Sequence, residues 1–379
     1  METILVFRMQ RWDCWSIKLE GIVQAAARRG WTVQTVDAPE SVAAAEELLH
    51  LWNPKGVIVI EGDRSSAMRF SGPLRRLPVV YLDQGSAMSG RKPVLIKQDA
   101  RAITRLAVHE LLSIGCTSLA YVGWLSRIHW SEDKRESFRE TMRLHGRPHL
   151  EYAPDGRSEL DYSIGLEKFI ADLPLNSGIL AVNDLIAGKV IATAKSLGRE
   201  IPDDLAVIGV DNDHALCESG PISISSFALD YAATGEAAVK ALEHPDQVSR
   251  GIHYIAPLRF FRRRSTLRLK KKDSEVESAL ERIRREACGG LTAKKVFDGF
   301  ACSRRMAEIR FRELVGRSVL AEIQRCRLEE ACTLLKAHDL PLKVLADRCG
   351  FRSGALLQRQ FKSQFGLTPR QWRKRLGLT

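Results

Sequence analysis

The sequence lacks any stretch of apolar residues long enough to cross a membrane, and it lacks a Cys-x-x-Cys pair. Its eight cysteines are scattered along 379 residues, and none has histidines at zinc-finger spacing. The opening stretch METILVFRMQRW holds only a short apolar run, far shorter than the core of a secretory signal. We therefore expect a cytoplasmic protein with reduced thiols, without a secretory leader, a membrane partner or a bound metal.

Motifs of nucleotide-dependent enzymes and of serine hydrolases are also missing. No Gly-x-Gly-x-x-Gly follows the first apolar run, and neither Gly-Lys-Ser/Thr nor a Gly-x-Ser-x-Gly elbow occurs. His109 and His129 have no nucleophile pattern near them, so a structural or surface role is the simpler interpretation. The sequence thus predicts no cofactor and no catalytic site.

Charge is unevenly spread along the chain. The net charge is +12, yet residues 259–379 carry 30 Lys and Arg against 13 Asp and Glu, whereas residues 1–258 carry 28 against 33. This asymmetry predicts that the last third meets a polyanion and that the first two thirds do not. Nucleic acid is the first candidate, and an anionic membrane surface or a merely solvated basic face are the alternatives.

The first two thirds alternate between short apolar runs, typical of buried strands, and stretches with helical periodicity. At this spacing the pattern predicts two lobes, each a parallel sheet covered by helices on both faces. Ligands of such sheets bind beyond the carboxyl ends of the strands, which directs attention to 8–15, Asp83, 123–130, 183–184 and 211–213. The runs are TILVF, GVIVI, LPVVYLD, SLAYVG, GILAV and LAVIGVD.

Tryptophan is concentrated in the same region, since six of the seven lie between residues 12 and 130. A sugar needs paired hydrogen-bond groups for its hydroxyls and a flat apolar face for its C–H side. Trp12, Trp15, Trp124 and Trp130 are candidates for that face, with ordinary packing as the equal alternative. We select Trp12 and Trp15 as ligand-binding candidates because they follow the first strand.

Several segments resemble the sugar-binding domain of LacI-type repressors: LPVVYLD, HELLSIGCTSLAYVG, SEDKRESF and AVNDLIAGKVIATAKSLGREIPDDLAVIGVDND. The stretch VDNDHALCESGPISISS is more similar to the xylose-operon regulator branch. The resemblance implies a fold like that of periplasmic sugar-binding proteins, with ligand contacts at Arg135, Asn183, Asp184 and Asp211. The segment DCWSIKLEGI and the surroundings of Asp99 depart from that family, which leaves the identity of the sugar open.

The last third contains two similar units about fifty residues apart, KVFDGFACSRRMAEIRFRELVGRS and KVLADRCGFRSGALLQRQFKSQFGLT. The pattern in each unit predicts a short helix, a tight turn and a second helix. A long helix near 318–336 is expected to join the two units. Helix–turn–helix geometry places the second helix in a DNA major groove. RLEEACTLL, LADRCGF and QRQFKSQFGLTP resemble the AraC-type DNA-binding domain, a likeness that covers 275–376.

The second helix of each unit is the candidate reader of DNA. Arg pairs with guanine and Glu accepts from cytosine, whereas Ala and Leu contact only thymine methyls. We therefore expect sharper base readout from the first unit and more shape and phosphate recognition from the second. Within the first unit, Phe297 is expected to fill the space that Ala307 leaves. The DNA-binding candidates are Ser303, Arg304, Arg305, Glu308, Ile309, Arg352, Ser353, Ala355, Leu356 and Arg359.

Together these features predict an α/β two-lobed ligand-binding domain at 1–268, a linker at 269–274 and an all-α double helix-turn-helix domain at 275–379. The basic run 259–272 is interpreted as linker plus the last strand, with DNA contact as the alternative. We expect a sugar-responsive transcription activator that binds double-stranded operator DNA as a homodimer and contacts RNA polymerase. A sugar-metabolising enzyme with an anchoring tail and a ligand-independent DNA-binding regulator are the rival hypotheses.

Overall fold

The structure, a computed structural model, describes residues 2–8, 15–37, 39, 41–60, 72, 77–83, 94–156, 158–248, 250–268, 273–337 and 340–375. The chain divides into two compact units, Met1–Arg268 and Leu269–Thr379. Within the described residues, no helix is both long enough and apolar enough to cross a bilayer.

The first unit contains two sheets. The first has the strand order β11-β5-β4-β3-β1-β2 and the second the order β12-β10-β9-β8-β6-β7. Adjacent strands pair in parallel, except that β10 and β12 are antiparallel. The strands are β1 Thr3–Arg8, β2 Thr32–Asp37, β3 Gly56–Ile60, β4 Val79–Leu82, β5 Val94–Gln98, β6 Ser118–Val122, β7 Leu150–Tyr152, β8 Ser177–Ala181, β9 Leu205–Asp211, β10 Ser225–Ala228, β11 Gly251–Ile255 and β12 Arg259–Phe261.

Helices cover both sheets, and the central strands are buried almost completely, as expected for parallel strands with helices on both faces. The described helices of this unit are α1 Trp15–Ala27, α2 Val42–Trp52, α3 Ala100–Ser113, α4 His129–Leu144, α5 Glu159–Asp172, α6 Asp184–Ser196, α7 His214–Ser219 and α8 Tyr231–Glu243, and a 3-10 turn lies at Arg264–Thr266.

The chain passes between the two sheets after β5, after β10 and after β11. The first lobe is therefore built from β1–β5 and β11 with α1, α2 and α8. The second lobe is built from β6–β10 and β12 with α3–α7. Because the carboxyl ends of both sheets face the crossing segments, the fold places a cleft between the lobes at those ends.

Two glycines allow α1 and α8 to lie against each other in the first lobe. A Cβ on Gly235 would meet the carbonyl carbon of Gly21 at 2.2 Å, and a Cβ on Gly21 would meet the carbonyl oxygen of Tyr231 at 2.1 Å. Since real Cβ atoms do not approach so closely, only glycine fits at both positions. Arg29 adds ion pairs across the same helices, to Glu236 at 2.6 Å and to Glu243 at 2.7 Å.

The basic run that follows β11 is largely part of the second lobe. Arg262 binds Glu110 through two nitrogens, at 2.7 and 2.6 Å. Arg263 binds Glu218 at 2.6 Å and donates to the Ile224 carbonyl at 2.9 Å. These arginines hold β12 and the following turn in place, so 259–268 packs in the second lobe, with residues 259–261 as its strand. Residues 269–272 lie outside the described part of the chain.

The second unit is all helical. Its 3-10 turn is Ala287–Gly289, and its described helices are α9 Ser274–Glu286, α10 Ala293–Phe297, α11 Arg304–Val315, α12 Val319–Ala337, α13 Leu342–Arg348, α14 Gly354–Phe365 and α15 Pro369–Arg375. The long helix α12 lies between the two helix-turn-helix units, α10–α11 and α13–α14. Its apolar side packs against the second of them in a cluster formed by Leu328, Ala331, Cys332, Leu335, Leu345, Ala346, Cys349, Phe351, Leu357 and Phe361.

Candidate functional site

A cavity lies between the two lobes of the first unit. Both lobes contribute to its wall, and the side chains that line it combine carboxylates, amines, amides and aromatic rings. The described lining residues are Lys18, Asp83, Lys97, Gln98, Ala100, Trp124, Trp130, Asp133, Lys134, Asn183, Asp184, Leu185, Asp211, Asp213, Leu216, Leu229 and Tyr231.

Two of the lining carboxylates, Asp83 and Asp211, lie at strand ends where the backbone has positive φ angles. Asp83 follows β4 with φ +50°, Asp211 ends β9 with φ +100°, and Asn212 follows with φ +53°. Residues other than glycine adopt such angles at a cost, which is smallest for Asp and Asn, and residues with such angles are often found at functional sites. The turns direct carboxylates at the carboxyl edges of both sheets toward the cleft.

Asn183 and Asp184 join β8 to α6 on the second-lobe side. The Asn183 side chain caps α6 by accepting from the Ile186 N–H at 3.0 Å. Asp184 is fully buried, and it accepts from the Ser226 hydroxyl at 2.5 Å and the Asp213 N–H at 2.8 Å. Burial, and next the charge of Asp211, raise the pKa of Asp184 to about 8, so this acid is largely protonated at neutral pH.

Three lysines line the wall formed by α1, β5 and α4. Lys18 pairs with Asp83 at 2.8 Å, and Lys97 pairs with Asp133 at 2.7 Å. Burial alone would raise the pKa of Asp83, but the charges of Lys18 and Lys134 lower it below its usual value. Lys97 belongs to the first lobe and Asp133 to the second, so this ion pair spans the cleft.

Aromatic rings complete the wall. Trp124 and Trp130 stand 5.6 Å apart between ring centroids, and the Lys134 amine lies 5.2 Å from the Trp130 ring. Tyr231, at the start of α8, donates to Asp211 Oδ1 at 3.0 Å. The amine of Lys18 lies 6.0 Å from the Tyr231 ring. The arrangement offers flat apolar faces beside charged groups, as sugar recognition requires.

One buried acceptor in the wall has no partner within the described protein. The Gln98 amide donates to the Thr234 hydroxyl at 3.0 Å, yet its Oε1 is buried without a hydrogen bond. A buried polar atom left unpaired is costly, so it is suited to a donor that arrives with a ligand or with water. A sugar hydroxyl is such a donor.

The sequence-predicted ligand residues are only partly brought together. Asn183, Asp184 and Asp211 line the cavity. Arg135 is not among the lining residues; its guanidinium binds Glu132 of the same helix at 2.6 Å, while the neighbouring Lys134 faces the cavity. Trp12 lies outside the described residues. Trp15 begins α1, and its side chain is not described.

Several polar residues of the cavity lining were not selected from the sequence. Asp83 was indicated by its place after β4, but Lys18, Lys97 and Tyr231 were not named. Lys18 lies inside α1 and Lys97 inside β5, so neither follows a strand. Tyr231 follows the crossing from β10 to α8, a position that becomes visible only when the sheet order is known.

In the second unit, each helix-turn-helix ends with a recognition helix, α11 or α14, bounded by the same pair of signals. The Ser303 hydroxyl accepts from the Met306 N–H at 3.4 Å, and the Ser353 hydroxyl from the Leu356 N–H at 3.2 Å. Glycines with φ +79° and +73° end the two helices. The two repeated units therefore share a serine N-cap at the start of the second helix and a glycine that ends it.

Most of the DNA-binding candidates lie on the surface. Ser303, Arg304, Arg305 and Ile309 are exposed on or before α11, and Glu308 is half-buried beside Arg312. Arg352, Ser353, Ala355 and Arg359 are exposed at α14, and Leu356 is half-buried. Sequence reasoning did not name Met306, whose side chain is 50% exposed on α11 and fits contact with thymine methyls.

The start of α9 holds the first recognition helix. Arg310 of α11 binds Asp273 at 2.5 Å and Glu275 at 2.7 Å, and Glu275 also accepts from the Ala301 N–H at 2.7 Å. The Ala301 N–H and then Arg310 lower the pKa of Glu275 below its usual value. The residues that follow the undescribed stretch 269–272 therefore bind the turn and second helix of the first helix-turn-helix.

Comparison with known proteins agrees with both halves of this description. Residues 108–266 match the family described as periplasmic binding protein-like domain, and residues 298–375 match a helix-turn-helix domain. The xylose operon regulatory protein of Escherichia coli strain K12 is 28% identical over 73% of this chain and 73% of its own length. That of Haemophilus influenzae is 27% identical over 73% and 74%.

The fold agrees with a solved structure along nearly its whole length. The structure of the xylose-binding transcription activator xylR covers 98% of both chains, with a TM-score of 0.60 and 24% identity. The arrangement is that of a DNA-binding transcription regulator in which a LacI-type domain precedes a double helix-turn-helix. Over 73% of its length the chain is similar to xylose operon regulatory proteins, and its two matched segments are a periplasmic binding protein-like domain and a helix-turn-helix domain. These relatives are regulatory proteins of the xylose operon rather than enzymes.

Proposed function

We propose that this regulator is a cytoplasmic activator whose effector is a xylose-like sugar and which binds its operator as a homodimer. Residues 1–268 would sense the sugar, 269–274 would link, and 275–379 would bind DNA. Two of the curated relatives are named for the xylose operon, which supports the class of effector. Activation through RNA polymerase is the expected output.

The observation that carries this proposal is that the cavity is lined from both lobes. The Tyr231 hydroxyl of the first lobe binds Asp211 of the second at 3.0 Å, and Lys97 of the first lobe binds Asp133 of the second at 2.7 Å. A ligand that contacts both lobes binds the closed conformation more tightly than the open one. This difference in affinity shifts the conformational equilibrium toward the closed cleft. Closure would change the placement of the linked DNA-binding domains.

The DNA-binding residues proposed from the sequence lie in matching places on two helices. The long helix α12 joins the two helix-turn-helix units, so their second helices would enter successive major grooves about 34 Å apart on one face of the duplex. Exposed arginines at both helices, such as Arg305 and Arg359, would neutralise phosphates or pair with guanine.

The test uses the full chain and double-stranded oligonucleotides selected from a random pool. Binding should weaken steeply as salt rises, and D-xylose should change either operator affinity or transcription from a promoter that carries the selected site. Arg305→Gln should lower affinity by about tenfold. Arg285→Gln is the matched control, because Arg285 is exposed on α9 and pairs with Glu286 at 2.7 Å. Salt-insensitive or absent DNA binding would refute the proposal.

A further inference from the structure

The first described residues after 269–272 are bound to the first helix-turn-helix by their side chains. Asp273 caps α9 with one carboxylate oxygen, which accepts from the Glu275 and Val276 N–H groups at 3.2 Å. Its other oxygen accepts from the Arg310 guanidinium of α11 at 3.0 and 2.5 Å. The residue at which the chain enters α9 is therefore in direct contact with a recognition helix.

Glu275 adds a second connection to the same helix-turn-helix. One of its carboxylate oxygens accepts from the Arg310 guanidinium at 2.7 Å, and the other accepts from the Ala301 N–H, in the turn between α10 and α11, at 2.7 Å. The Arg310 guanidinium also lies 5.7 Å from the centroid of the Phe300 ring. Charge-assisted bonds from a planar guanidinium fix both distance and direction, so the position of α11 depends on the start of α9.

The second helix-turn-helix differs at the matching position. When the capping serines Ser303 and Ser353 are aligned, Gln360 of α14 takes the place of Arg310. Glutamine carries no charge and cannot form an ion pair. The Oε1 atom of Gln360 is buried without a hydrogen-bond partner among the described residues. The ion pairs that hold α11 to the start of α9 thus have no counterpart at this position of α14.

The turns of the two helix-turn-helix units also differ. The Ala301 N–H, two residues before the first capping serine, is bound by Glu275 of α9. The matching N–H in the second turn belongs to Phe351, and it donates to the Ala346 carbonyl of α13 at 2.8 Å. This bond closes the second turn on its own preceding helix, whereas the matching bond of the first turn is supplied by α9.

We propose that Arg310 is a positioning residue that transmits the effector signal from the linker to the first helix-turn-helix. When the effector changes the placement of the linker end, Asp273 and Glu275 carry α11 with them through Arg310. The contacts of α11 in the DNA groove then change, and operator affinity changes by the difference between the two placements. The contacts of α14 stay the same. This inference rests on the proposed function, because it names the helix-turn-helix through which the proposed effector acts.

Operator half-sites separate the two helix-turn-helix units. Titration of the full chain, with and without D-xylose, uses the operator selected from a random pool and two versions in which the half-site of one helix-turn-helix is scrambled. Arg305→Gln and Arg359→Gln assign the half-sites, because each should lose affinity only where the half-site of its own helix is intact. D-xylose should change affinity about fivefold or more when the half-site of the first helix-turn-helix is intact, and less than about twofold when it is scrambled.

Two variants break the connection with opposite changes of charge. Arg310→Gln gives α11 the side chain that α14 has at the matching position, and it removes one positive charge. Asp273→Asn combined with Glu275→Gln removes two negative charges, while the amide oxygens still accept the backbone N–H groups at the cap and in the turn. Both variants should reduce the effect of D-xylose on the intact operator to less than about twofold. A role limited to net charge would move the two variants in opposite directions.

Arg285→Gln is the matched control. Arg285 is exposed on the same helix α9 and pairs with Glu286 at 2.7 Å, so its substitution removes one positive charge and leaves the contacts of Arg310 in place. The response of this variant to D-xylose should equal that of the wild-type chain. Thermal midpoints show which variants fold, and the operator versions test the wild-type chain independently of them.

Loss of the response in the folded variants, its retention in the control and its dependence on the half-site of the first helix-turn-helix support the inference. An undiminished response in either folded variant, loss of the response in the control, or a response that follows the other half-site overturns it and leaves the proposed sugar-responsive function in place. The same holds if D-xylose changes transcription but not operator affinity. A wild-type chain that responds to D-xylose in neither assay overturns the proposed xylose-like effector and the inference together.

Discussion

The hydroxyl of Tyr231 donates to Asp211 Oδ1 at 3.0 Å and so joins the first residue of a first-lobe helix to the end of a second-lobe strand. The bond exists only where the carboxyl edges of the two sheets face each other. It ties the closure of the cleft to a residue that also lines the ligand cavity. Substitutions here report on closure without removing a core side chain.

Tyr231→Phe should weaken effector binding about 3- to 10-fold, because it removes one hydrogen bond of roughly 1 kcal/mol from the closed cleft. The ring and its packing remain, so the thermal midpoint of the free protein should change little. Calorimetry with the effector measures the effect. Tyr254→Phe is the matched control at an exposed position on β11. Equal affinities of the two variants would contradict the role given to the Tyr231 hydroxyl.

Gly235→Ala should destabilise the first lobe by about 1–3 kcal/mol or more, since its methyl group meets the Gly21 backbone at 2.2–2.3 Å. Urea denaturation of the full chain measures the loss, followed by the fluorescence of the first-lobe tryptophans. Gly188→Ala is the matched control in α6, where the nearest atom to the added methyl lies at 4.0 Å. That variant should be neutral or slightly stabilising, because alanine favours the helix. Similar losses in both variants would refute the close approach of α1 and α8.

Asp184→Asn should make the stability of the sensor domain less dependent on pH. Burial raises the pKa of Asp184 from its ordinary 3.8 to about 8 in the folded chain. At pH values below the pKa of Asp184 in the unfolded chain, this residue is protonated in both the folded and the unfolded state, so it does not lower the free energy of unfolding. As pH rises from about 4 toward 8, the unfolded state ionises while the folded state does not, so stability falls.

The measurement is the difference in unfolding free energy between Asp184→Asn and the wild-type chain at several pH values. The difference should be small near pH 4 and should increase in favour of the variant up to about pH 8. Asp172→Asn, at an exposed position that ends α5, is the control. A difference that stays constant with pH would show that Asp184 is ionised in the folded protein.

Ala307→Leu should overpack the first helix-turn-helix and lower its stability by about 1–3 kcal/mol. Ala307 is fully buried on α11, and Phe297 of α10 is 7% exposed, which is consistent with a large ring filling the space beside a small residue. The thermal midpoint measures the effect. Ala355→Leu is the control, because Ala355 is exposed on α14. An unchanged midpoint for Ala307→Leu would refute the Phe297–Ala307 contact.

The two helix-turn-helix units should differ in how they read DNA. Arg304, Arg305 and Glu308 give the first unit a hydrogen-bond code, whereas the outward face of the second carries Ala355 and Leu356. Base changes in the half-site of the first unit should therefore cost about 1–3 kcal/mol each, and changes in the other half-site less. Footprinting on operators mutated in one half at a time measures this. Equal losses from the two halves would contradict the expected division.

Hydrophobic periodicity predicted the buried strands and most helices of the first unit, since apolar runs bounded by turns have few other solutions. It missed β5 and β10 for a physical reason. The strand Val94–Gln98 ends in Lys97 and Gln98, which face the cavity rather than the core. The strand Ser225–Ala228 buries serines, whose hydroxyls are satisfied by Arg263 and Asp184. A strand whose polar groups are paired by distant residues has no apolar pattern.

The position of Arg135 outside the cavity lining has a similar origin. The segment SEDKRESF predicts a cation at the site, and the sequence offers two neighbouring cations. Successive residues of a helix point about 100° apart, so the orientation of α4 decides which one faces the cleft. Lys134 faces it, and Arg135 binds Glu132 instead. Helix orientation depends on packing against the sheet, which local pattern does not contain.

The sequence by itself determined the class of this protein, because the basic surplus, the repeated helix pair and the alternating strands are properties of consecutive residues. Asn183, Asp184 and Asp211 were selected from the sequence, but only the tertiary structure decided which other side chains line the cavity. Lys18, Asp83, Lys97 and Tyr231 are far apart in the chain and meet because the sheet order and the crossing segments bring both lobes to one cleft. Local sequence encodes periodicity and caps, whereas a binding site depends on distances between elements that only packing fixes.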